Sequence, residues 1–473
     1  MKSRSHLIAI RRDSNKPSHT RHTSTMCASF PTRKLFRSCS WVVRVLKTLV
    51  ISAIVFLLLE ARWTIVQKQP VTTLVRSIAQ RFPLTLMNQD LRPYFKIDRK
   101  VKNVNCFKLI TNDSAEHYLA RILELEHTAK FSKRKMRYFS KLDNSSACSD
   151  FIAKSGYIMD SLTSEEEEFP LAYSIVMFKD QQQTEMLLRA IYRPQNYYCI
   201  HLDKKSHFFV KRDMVAIANC FPNVFIASQF VNVIWGGFTL LKAEMACLGD
   251  LWKYKKWKYF INLTGQEFPL KTNYELVKIL RSVEGANFVG ALRNRYKRWW
   301  IRAGRPPHGL TVFKGSGHVV INRDFVDFCL HTQIGQDFLN WTRNIDHSFE
   351  FYFNTLNHNT QLGIPGSFNF TGRGGDFFKK PLMTRVKIWE DSPNKERCKV
   401  WQRSICILGL EQLPMLASSR EFFANKFQFS RVSYYTQQCL DELIYNRTRA
   451  EYLGETDFDT RYYTNLWQYK YKI

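Results

Sequence analysis

Residues 171–283 alternate between short apolar runs and longer amphipathic runs. The apolar runs, typical of buried strands, are LAYSIVMF, NYYCIHLD, VFIAS and YFINL, and the amphipathic runs, typical of helices, are TEMLLRAIY, DMVAIANCF, TLLKAEMACLGDLW and NYELVKILRSV. This alternation predicts an α/β fold in which a mostly parallel sheet carries helices on both faces and binds ligands at the carboxyl ends of its strands. The segment is therefore predicted to form the ligand-binding sheet of the fold.

Two polar residues stand where predicted strands end. Asp203 ends the second strand and Thr264 the fourth, so both are placed to face a ligand. For Asp203 the alternative is a turn or helix-cap residue. The acidic run 165–168 before the first strand is expected to be a solvated loop. Further along, TGRGGDFF has neither GxGxxG nor Walker spacing, so a surface loop is favoured over a phosphate loop.

The N-terminal 61 residues have the pattern of a membrane anchor. Nine basic residues and a single acidic one, Asp13, occupy residues 1–40, and the apolar run TLVISAIVFLLL follows. Extended back to Trp41, that run reaches about 20 residues, enough for a bilayer span. Positive-inside bias predicts a cytosolic tail at 1–40, a signal-anchor helix at 41–61, a stem at 62–105 and a lumenal catalytic domain at 106–473. A cleaved signal peptide and a buried core helix are the alternatives, but EARWTIV after the run offers no small-residue cleavage site.

Sequons and cysteines fit a body in an oxidising compartment. Candidate N-glycosylation sites lie beyond the proposed anchor at Asn112, Asn144, Asn340, Asn369 and Asn446, and Asn262 also begins a sequon. Of eleven cysteines nine follow the anchor, a number that suits four disulfides and one free thiol. The net charge of +29 alone would allow nucleic acid, a membrane surface or an anionic ligand as partner. A lumenal, disulfide-bonded body argues against nucleic acid.

An ordered set of sequence blocks carries a family resemblance. The blocks are FPLAYSIVMFKDQQQTEMLLRAIYRPQNYYCIHLDKKS, WKYFINLTGQEFPLKTNYELVKIL, FKGSGHVVINRDFV, HSFEFYFNTL, GIPGSF, RSICILG, FFANKF and QCLDE. Across residues 104–445 the chain resembles the core 2/I-branching β1,6-N-acetylglucosaminyltransferases, which are type II Golgi membrane enzymes. Peptide O-xylosyltransferases, which share the broader fold family, are the nearest enzymatic alternative. The resemblance implies a glycosyltransferase A-type fold with a Rossmann-like nucleotide-binding half.

The resemblance also implies a covalent framework. Its disulfides would join Cys106 to Cys439, Cys148 to Cys220, Cys199 to Cys247, and Cys398 to Cys406. Cys329 is left over in RDFVDFCLHTQIG, an amphipathic helical stretch, and is expected to be a buried core residue. This chain carries Thr264 where the family often carries a free cysteine.

For the chemistry, the resemblance implies an inverting transfer with Glu350 as the general base. The alternative is a structural glutamate paired with an arginine of RNRYKRWWIR. Arg403 and Lys426 would neutralise the diphosphate, so no divalent metal is expected. Asp457 and Asp459 form a DxD sequence near the C-terminus, beyond the family blocks, and are interpreted as tail residues.

Donor and acceptor contacts are implied residue by residue. Val176, Asp203 and Trp235 would hold the uridine, with Trp235 stacking on the base. Arg295, Arg298 and Trp389 match acceptor-binding positions. Val289 stands where relatives carry an acceptor-binding glutamate, and the tyrosine expected close to Trp389 is missing. These departures leave both the acceptor and the donor sugar open.

The sequence thus predicts an enzyme that adds a β1,6-linked N-acetylglucosamine branch from UDP-GlcNAc to a core 2-type O-glycan on a glycoprotein. It would act in the Golgi lumen as a single-pass type II membrane protein, and a homodimer is left open. Two alternatives remain. One is the same fold using another UDP-sugar, such as UDP-glucose, or UDP-xylose as in peptide O-xylosyltransferases. The other is a non-catalytic Golgi glycan-binding protein.

Overall fold

A five-stranded sheet is built from the alternating segment. The computed structural model describes residues 92–131, 139, 141–142, 144–290, 292–293, 300–368, 382–392, 394–429 and 431–473. The strands are β1 Leu171–Met177, β2 Tyr197–Leu202, β3 Val224–Ile226, β4 Tyr259–Thr264, β5 Glu267–Pro269, β6 Leu292–Arg293, β7 Phe313–Lys314, β8 Val320–Asn322, β9 Arg385–Val386, β10 Trp401–Gln402, β11 Ile405–Cys406 and β12 Phe423–Asn425. The main sheet has the order β3-β2-β1-β4-β8, parallel except for the antiparallel β8. The fold is mixed α/β, as predicted.

Helices connect and cover these strands. They are α1 Cys106–Ile110, α2 Ser114–Phe131, α3 Ser145–Ser155, α4 Ser164–Glu168, α5 Gln181–Ile191, α6 Phe208–Ala218, α7 Phe238–Trp252, α8 Asn273–Ser282, α9 Arg323–His331, α10 Gln333–Trp341, α11 Tyr352–His358, α12 Leu413–Ala417, α13 Tyr434–Tyr452, α14 Arg461–Thr464 and α15 Trp467–Lys470. Short 3-10 turns lie at Pro93–Lys96, Ile301–Ala303, Pro307–Gly309, Thr342–Asn344, Ser348–Glu350, Thr360–Leu362, Lys395–Arg397 and Leu410–Gln412. The α8 start has a capping box, in which Thr272 and Glu275 satisfy each other's backbone N–H groups.

The two faces of the sheet bury different cores. Tyr173 and Ile175 of β1 pack with α5, α6 and α8, whereas Ala172 packs with Leu248 of α7 and Phe325 of α9. Adjacent strand residues point to opposite faces, so a continuously apolar strand such as β1 supplies both cores. Each fully buried large apolar side chain contributes about 1.5–3 kcal/mol, which holds the strand ends in fixed positions.

The second half adds smaller sheets beside the carboxyl ends of β1 and β4. Strand β12 pairs antiparallel with β5 and parallel with β9, while β10 and β11 form a hairpin and β6 pairs antiparallel with β7. Strand β5 begins three residues after β4 ends, so the three-stranded sheet is tied directly to the main one. This connection brings elements from residues 385–426 next to the carboxyl ends of the main sheet.

Four disulfides crosslink the described chain, three of them between segments that are far apart in sequence. They join Cys106 to Cys439, Cys148 to Cys220, Cys199 to Cys247, and Cys398 to Cys406, the same pairs that the resemblance implies. Cys329 is free and fully buried on α9, and burial raises the pKa of its thiol. The thiol is therefore an unreactive core group at neutral pH.

Three expectations are corrected. The acidic run 165–168 lies within the short helix α4, where Glu166 is fully buried and accepts a 2.7 Å hydrogen bond from Asn273. Residues 93–104, assigned to the stem, pack on the body: Tyr94 and Phe95 are buried, and Arg99 pairs with Asp441 at 3.1 Å. Isolated apolar residues without periodicity gave no sign of this packing.

The third correction concerns the sequons. Asn262 is only 1% exposed and donates to Glu244 Oε1 and to the carbonyl of Gly317, so folded protein cannot present it to a glycan-transferring enzyme. Asn112, Asn144, Asn340 and Asn446 are exposed, and Asn369 lies outside the described residues. The proposed anchor at 41–61 also lies outside them. In the part of the chain that the structure describes, no helix has the length and apolar character needed to cross a bilayer.

Candidate active site

A cavity of about 730 Å³ opens at the junction of the main sheet and the three-stranded sheet. Its walls come from the β7 end and following turn (Lys314 to Gly317), the 3-10 turn holding Glu350, the segment Arg385–Trp389, and the segment Ser418–Ser419 with Glu421. The cavity is large enough for a sugar with part of its neighbour. It is therefore the candidate site for chemistry.

Glu350 is held rigidly at this cavity. Its carbonyl accepts hydrogen bonds from the Gly315 N–H at 2.8 Å and from Asn354 Nδ2 at 3.0 Å. A Cβ at Gly315 would meet the carbonyl oxygen of Gly290 at 1.7 Å, and one at Gly317 would meet the Phe349 ring at 2.2 Å. The glycines of FKGSGHVV thus permit the close backbone approach that fixes Glu350.

The partner of Glu350 is a lysine that sequence analysis missed. Lys314 Nζ lies 2.5 Å from Glu350 Oε2, and their side chains are only 18% and 17% exposed. The arginine considered as an alternative partner lies in RNRYKRWWIR, most of which is outside the described residues. This ion pair fixes the orientation of the Glu350 carboxylate at the cavity, which a proton acceptor requires.

His347 links Glu350 to the predicted uridine site. The backbone N–H of His347 donates to the carbonyl of Gly236 at 2.6 Å, and the His347 ring packs edge to face against Trp235 with the ring centroids 5.0 Å apart. Burial lowers the pKa of His347, while the Glu350 carboxylate opposes that change, so the ring is neutral at pH 7. Trp235 is 54% exposed and so presents its ring to an incoming ligand.

Val176 and Asp203 lie at neighbouring strand ends beside the Trp235 loop. Val176 pairs with His201 of β2 and Thr264 of β4. Asp203 follows β2 and accepts from the Lys205 backbone N–H at 2.8 Å and from Lys205 Nζ at 2.9 Å. Asp203 therefore has the turn role named as its alternative. A carboxylate offers about four acceptor positions, so these bonds leave room for a uracil N–H.

Arg403 stands in the two-residue turn of the β10–β11 hairpin. Both turn residues, Arg403 and Ser404, have positive φ, 54° and 59°, as a type I′ turn requires. Such backbone costs non-glycine residues about 1–2 kcal/mol each, so the hairpin retains unfavourable residues here. The guanidinium lies 4.7 Å from the Trp235 ring centroid, and the Cys398–Cys406 disulfide ties the hairpin down.

Lys426 follows β12 and lies close to Arg403. Burial, together with the positive charge of Arg403, lowers the pKa of Lys426 to about 8, while the Glu267 carboxylate opposes the change. Two cations thus meet beside Trp235 although repulsion disfavours the arrangement. Protein sites that hold like charges together commonly serve an ion of the opposite sign.

A buried carboxylate organises the base of the cationic region. Glu267 is fully buried and accepts from Arg385 Nε at 2.6 Å, Asn425 Nδ2 at 3.0 Å and Thr264 Oγ1 at 3.2 Å. His318 Nδ1 lies 3.3 Å from it, and burial lowers the pKa of His318 well below its ordinary value. Asn425 directly precedes Lys426, so Glu267 fixes the strand end that carries this lysine.

Of the three predicted acceptor residues, Trp389 is among the residues that the structure describes. Trp389 is 41% exposed and lines the cavity, with Lys387 Nζ 5.5 Å from its ring centroid. Val289 also lines the cavity, fully buried. Arg295 and Arg298 lie outside the described residues. Of the remaining predicted residues, Trp235, Arg403 and Lys426 come together, while Glu350 joins them through His347.

The DxD pair lies away from this site. Asp457 pairs with Lys278 at 3.1 Å and Asp459 with Arg461 at 2.7 Å, both on the surface. Across the described ranges, no group of three or more His, Cys, Asp and Glu side chains is arranged to hold a metal ion. Sequence analysis missed Lys314, Glu267, Arg385 and Lys387, although Lys314 and Glu267 lie within two of the family blocks.

Comparison with known proteins gives one consistent result. The family profile described as Core-2/I-Branching enzyme matches residues 171–417. The chain is 33% identical over 365 residues to the beta-1,3-galactosyl-O-glycosyl-glycoprotein beta-1,6-N-acetylglucosaminyltransferase of Bos taurus, covering 72% of this chain and 84% of that protein. It is 34% identical over 340 residues to the N-acetyllactosaminide beta-1,6-N-acetylglucosaminyl-transferase of Homo sapiens, covering 67% and 82%. A third similar protein, the beta-1,3-galactosyl-O-glycosyl-glycoprotein beta-1,6-N-acetylglucosaminyltransferase 4 of Danio rerio, is 36% identical over 324 residues, covering 63% and 74%.

Proposed function

We propose that this chain, which belongs to the Core-2/I-Branching enzyme family, transfers N-acetylglucosamine from UDP-GlcNAc to the 6-hydroxyl of a glycan, forming a β1,6 branch. The observation that carries the proposal is the placement of Glu350 at a sugar-sized cavity, joined through His347 and Trp235 to the Arg403–Lys426 pair. A proton acceptor and a cationic region to balance the diphosphate are the two parts an inverting sugar transfer needs.

In the proposed reaction Glu350 is the general base. The acceptor hydroxyl oxygen attacks the anomeric carbon from the face opposite UDP, its proton passes to Glu350, and the bond to the β-phosphate oxygen breaks with its electron pair staying on UDP. Lys314, 2.5 Å from Glu350, orients the carboxylate before attack. General base catalysis of this kind typically contributes about 10²–10⁴-fold in rate.

The proposed leaving-group site uses protein cations. Arg403 can grip phosphate oxygens with two N–H groups, and Lys426 supplies a point charge beside it. We propose that these charges suffice without a divalent metal. The uridine would lie over Trp235, between Val176 and Asp203, at the strand ends where α/β sheets bind ligands.

The acceptor is proposed to be an O-glycan on a glycoprotein, a core 1 structure that the added branch converts to the core 2 type. Two relatives with nearly equal identity, 33% and 34%, are named for different acceptors, so overall identity does not choose between them. The cavity supplies Trp389 as an aromatic platform for a sugar ring, and Arg295 and Arg298 are proposed to complete the acceptor site. Val289 adds an apolar wall where a glutamate is expected.

We also propose the finer features of architecture and location. The α/β fold would be of the glycosyltransferase A type, anchored by residues 41–61 as a type II protein of the Golgi membrane. The exposed sequons and four disulfides support a lumenal body.

Incubating the full-length protein with separate UDP-sugars and a panel of O-glycan and N-acetyllactosamine acceptors tests the proposal. The expected result is fastest turnover with UDP-GlcNAc and a core 1 O-glycan acceptor. Preferred use of UDP-glucose or UDP-xylose would contradict the proposed donor. If none of the acceptors in the panel supported UDP release, the proposed acceptor class would be contradicted.

A further inference from the structure

Two ion pairs at the cavity cancel their own charges. Lys314 neutralises Glu350 at 2.5 Å, and Arg385 neutralises Glu267 at 2.6 Å. His318 beside Glu267 is neutral because burial lowers its pKa. The paired residues therefore contribute almost no net charge to the site.

Three cations remain after this cancellation, and the cavity wall also carries the Glu421 carboxylate, which accepts a hydrogen bond from the Ser419 hydroxyl. The three cations are Lys387, Arg403 and Lys426, and none of them lies within 4.0 Å of a carboxylate in the described part of the chain. Arg403 and Lys426 already have a proposed role. Lys387, which lines the cavity beside Glu350, has none.

Backbone pairing places Lys387 between the other two cations. Val386 of β9 pairs with Ala424 of β12 in a parallel arrangement. Lys387 is the next residue after Val386, and Lys426 is the second residue after Ala424, so the two lysines follow the same pair on neighbouring strands. On the other side, the Ile388 carbonyl accepts from Cys406 N–H at 2.9 Å, and Glu390 N–H donates to Ser404, next to Arg403. The segment carrying Lys387 thus runs between the two elements that carry Lys426 and Arg403.

We propose that Lys387 is a further catalytic residue, whose ammonium contacts the β-phosphate of UDP as the sugar departs. This inference rests on the proposed function, because it assigns a role within the same donor site. It differs in naming a residue that faces the cavity, where the bond between sugar and phosphate breaks.

Charge balance explains why a third cation would act on departure. The diphosphate of a UDP-sugar carries about two negative charges, and free UDP carries about three near neutral pH because its terminal phosphate gains a second charge. The two positive charges of Arg403 and Lys426 balance the two negative charges of the bound donor. The charge of Lys387 balances the additional negative charge that develops on the β-phosphate oxygen as the bond to the anomeric carbon breaks. A cation that meets charge only as it develops accelerates the reaction instead of tightening substrate binding.

The surroundings of Lys387 fit this role. Burial lowers the pKa of Lys387 to about 8, with the Glu267 and Glu350 carboxylates opposing the change and Arg385 and Lys426 adding to it. Each of these two carboxylates already pairs with another cation, Glu350 with Lys314 and Glu267 with Arg385. A forming phosphate dianion would give the Lys387 ammonium an anionic partner of its own.

The test compares UDP with UDP-GlcNAc as ligands of the full-length protein. Lys387→Met removes the charge and keeps the chain length, Lys387→Arg keeps the charge, and Lys256→Met removes an exposed lysine from the turn before β4 as a control. Calorimetric titration gives both dissociation constants, and steady-state assays give kcat and each KM. Thermal melting verifies that each variant is folded.

For Lys387→Met we expect UDP affinity to fall about tenfold or more while UDP-GlcNAc affinity changes by less than about threefold, as for a charged contact made mainly with the product. The value of kcat should fall with both KM values near wild type, Lys387→Arg should recover part of the loss, and Lys256→Met should behave as wild type. Equal losses for both ligands, unchanged UDP binding, or a rise in acceptor KM alone would each overturn the inference. The binding comparison decides this even if UDP-GlcNAc proves not to be the preferred donor, whereas absence of UDP binding by wild type would overturn the proposed function itself.

Discussion

Replacing Glu350 by glutamine separates chemistry from binding in this site. The two side chains have nearly the same shape, so Glu350→Gln keeps an oxygen facing Lys314 but removes the group that accepts the hydroxyl proton. Because a general base typically contributes about 10²–10⁴-fold, kcat should fall by at least about 10², or about 2.7 kcal/mol in activation free energy. The UDP dissociation constant should stay near wild type, since Arg403 and Lys426 are untouched.

Steady-state kinetics and calorimetry on the same preparations provide the measurement, with the exposed Glu455→Gln as matched control. If Glu350 had only a structural role, the same substitution would affect stability and binding. Loss of its pair with the half-buried Lys314 would then lower the melting temperature and weaken UDP binding together with kcat. Activity of Glu350→Gln within a few-fold of wild type would remove Glu350 from the base role.

Four further results are expected from the charges and cysteines of the site. Excess EDTA should leave activity unchanged, and loss of activity that manganese restores would refute the cationic site. Arg403→Ala and Lys426→Ala should each weaken UDP binding by about 1.5–3 kcal/mol, measured by calorimetry, as expected for a lost charged hydrogen bond. Burial lowers the pKa of Lys387 and of Lys426 to about 8, so both ammonium charges are present below that pH and lost above it. The value of kcat/KM for the donor should therefore fall as pH rises through about 8. A flat profile up to pH 10 would contradict this prediction. Non-reducing peptide mapping should find four disulfides with Cys329 unpaired, and any bridge to Cys329 would contradict the structure.

Local pattern was sufficient to predict the parallel strands of the main sheet and the helices between them. Strands β1 to β4 and their helices lie where apolar runs and amphipathic runs alternate, because each element is defined by contacts between near neighbours in sequence. The disulfide pairing came from family resemblance alone, since spacing cannot distinguish the many ways in which eight cysteines can pair.

Long-range pairing explains most of what the sequence could not predict. Glu267 and Arg385 are 118 residues apart, and no periodicity relates them, yet they form the buried pair beneath the cations. Lys314 lies on a two-residue strand in an irregular region, where local pattern predicts no element. Nothing in the sequence distinguished Lys387 from the many other basic residues, and only the backbone pairing of the strand directly before it shows that it lies at the cavity.

The buried sequon at Asn262 illustrates a different limit. The motif Asn-Leu-Thr meets the rule for a glycan acceptor, but it lies in a central strand. There the Asn262 amide donates to Glu244, the pKa of which burial raises to about 8. Glu244 is therefore protonated at neutral pH, and the side chains form a neutral buried pair that a motif search cannot recognise.

The linkage of the product tests the central claim most directly. Wild-type protein given UDP-GlcNAc and a core 1 O-glycan should yield a product whose NMR spectrum shows a β-anomeric N-acetylglucosamine attached at a 6-position, because inversion at the anomeric carbon is the outcome of a single base-assisted displacement. An α-linked product would contradict the proposed role of Glu350. A β-linked sugar at a position other than carbon 6 would contradict the proposed branching activity.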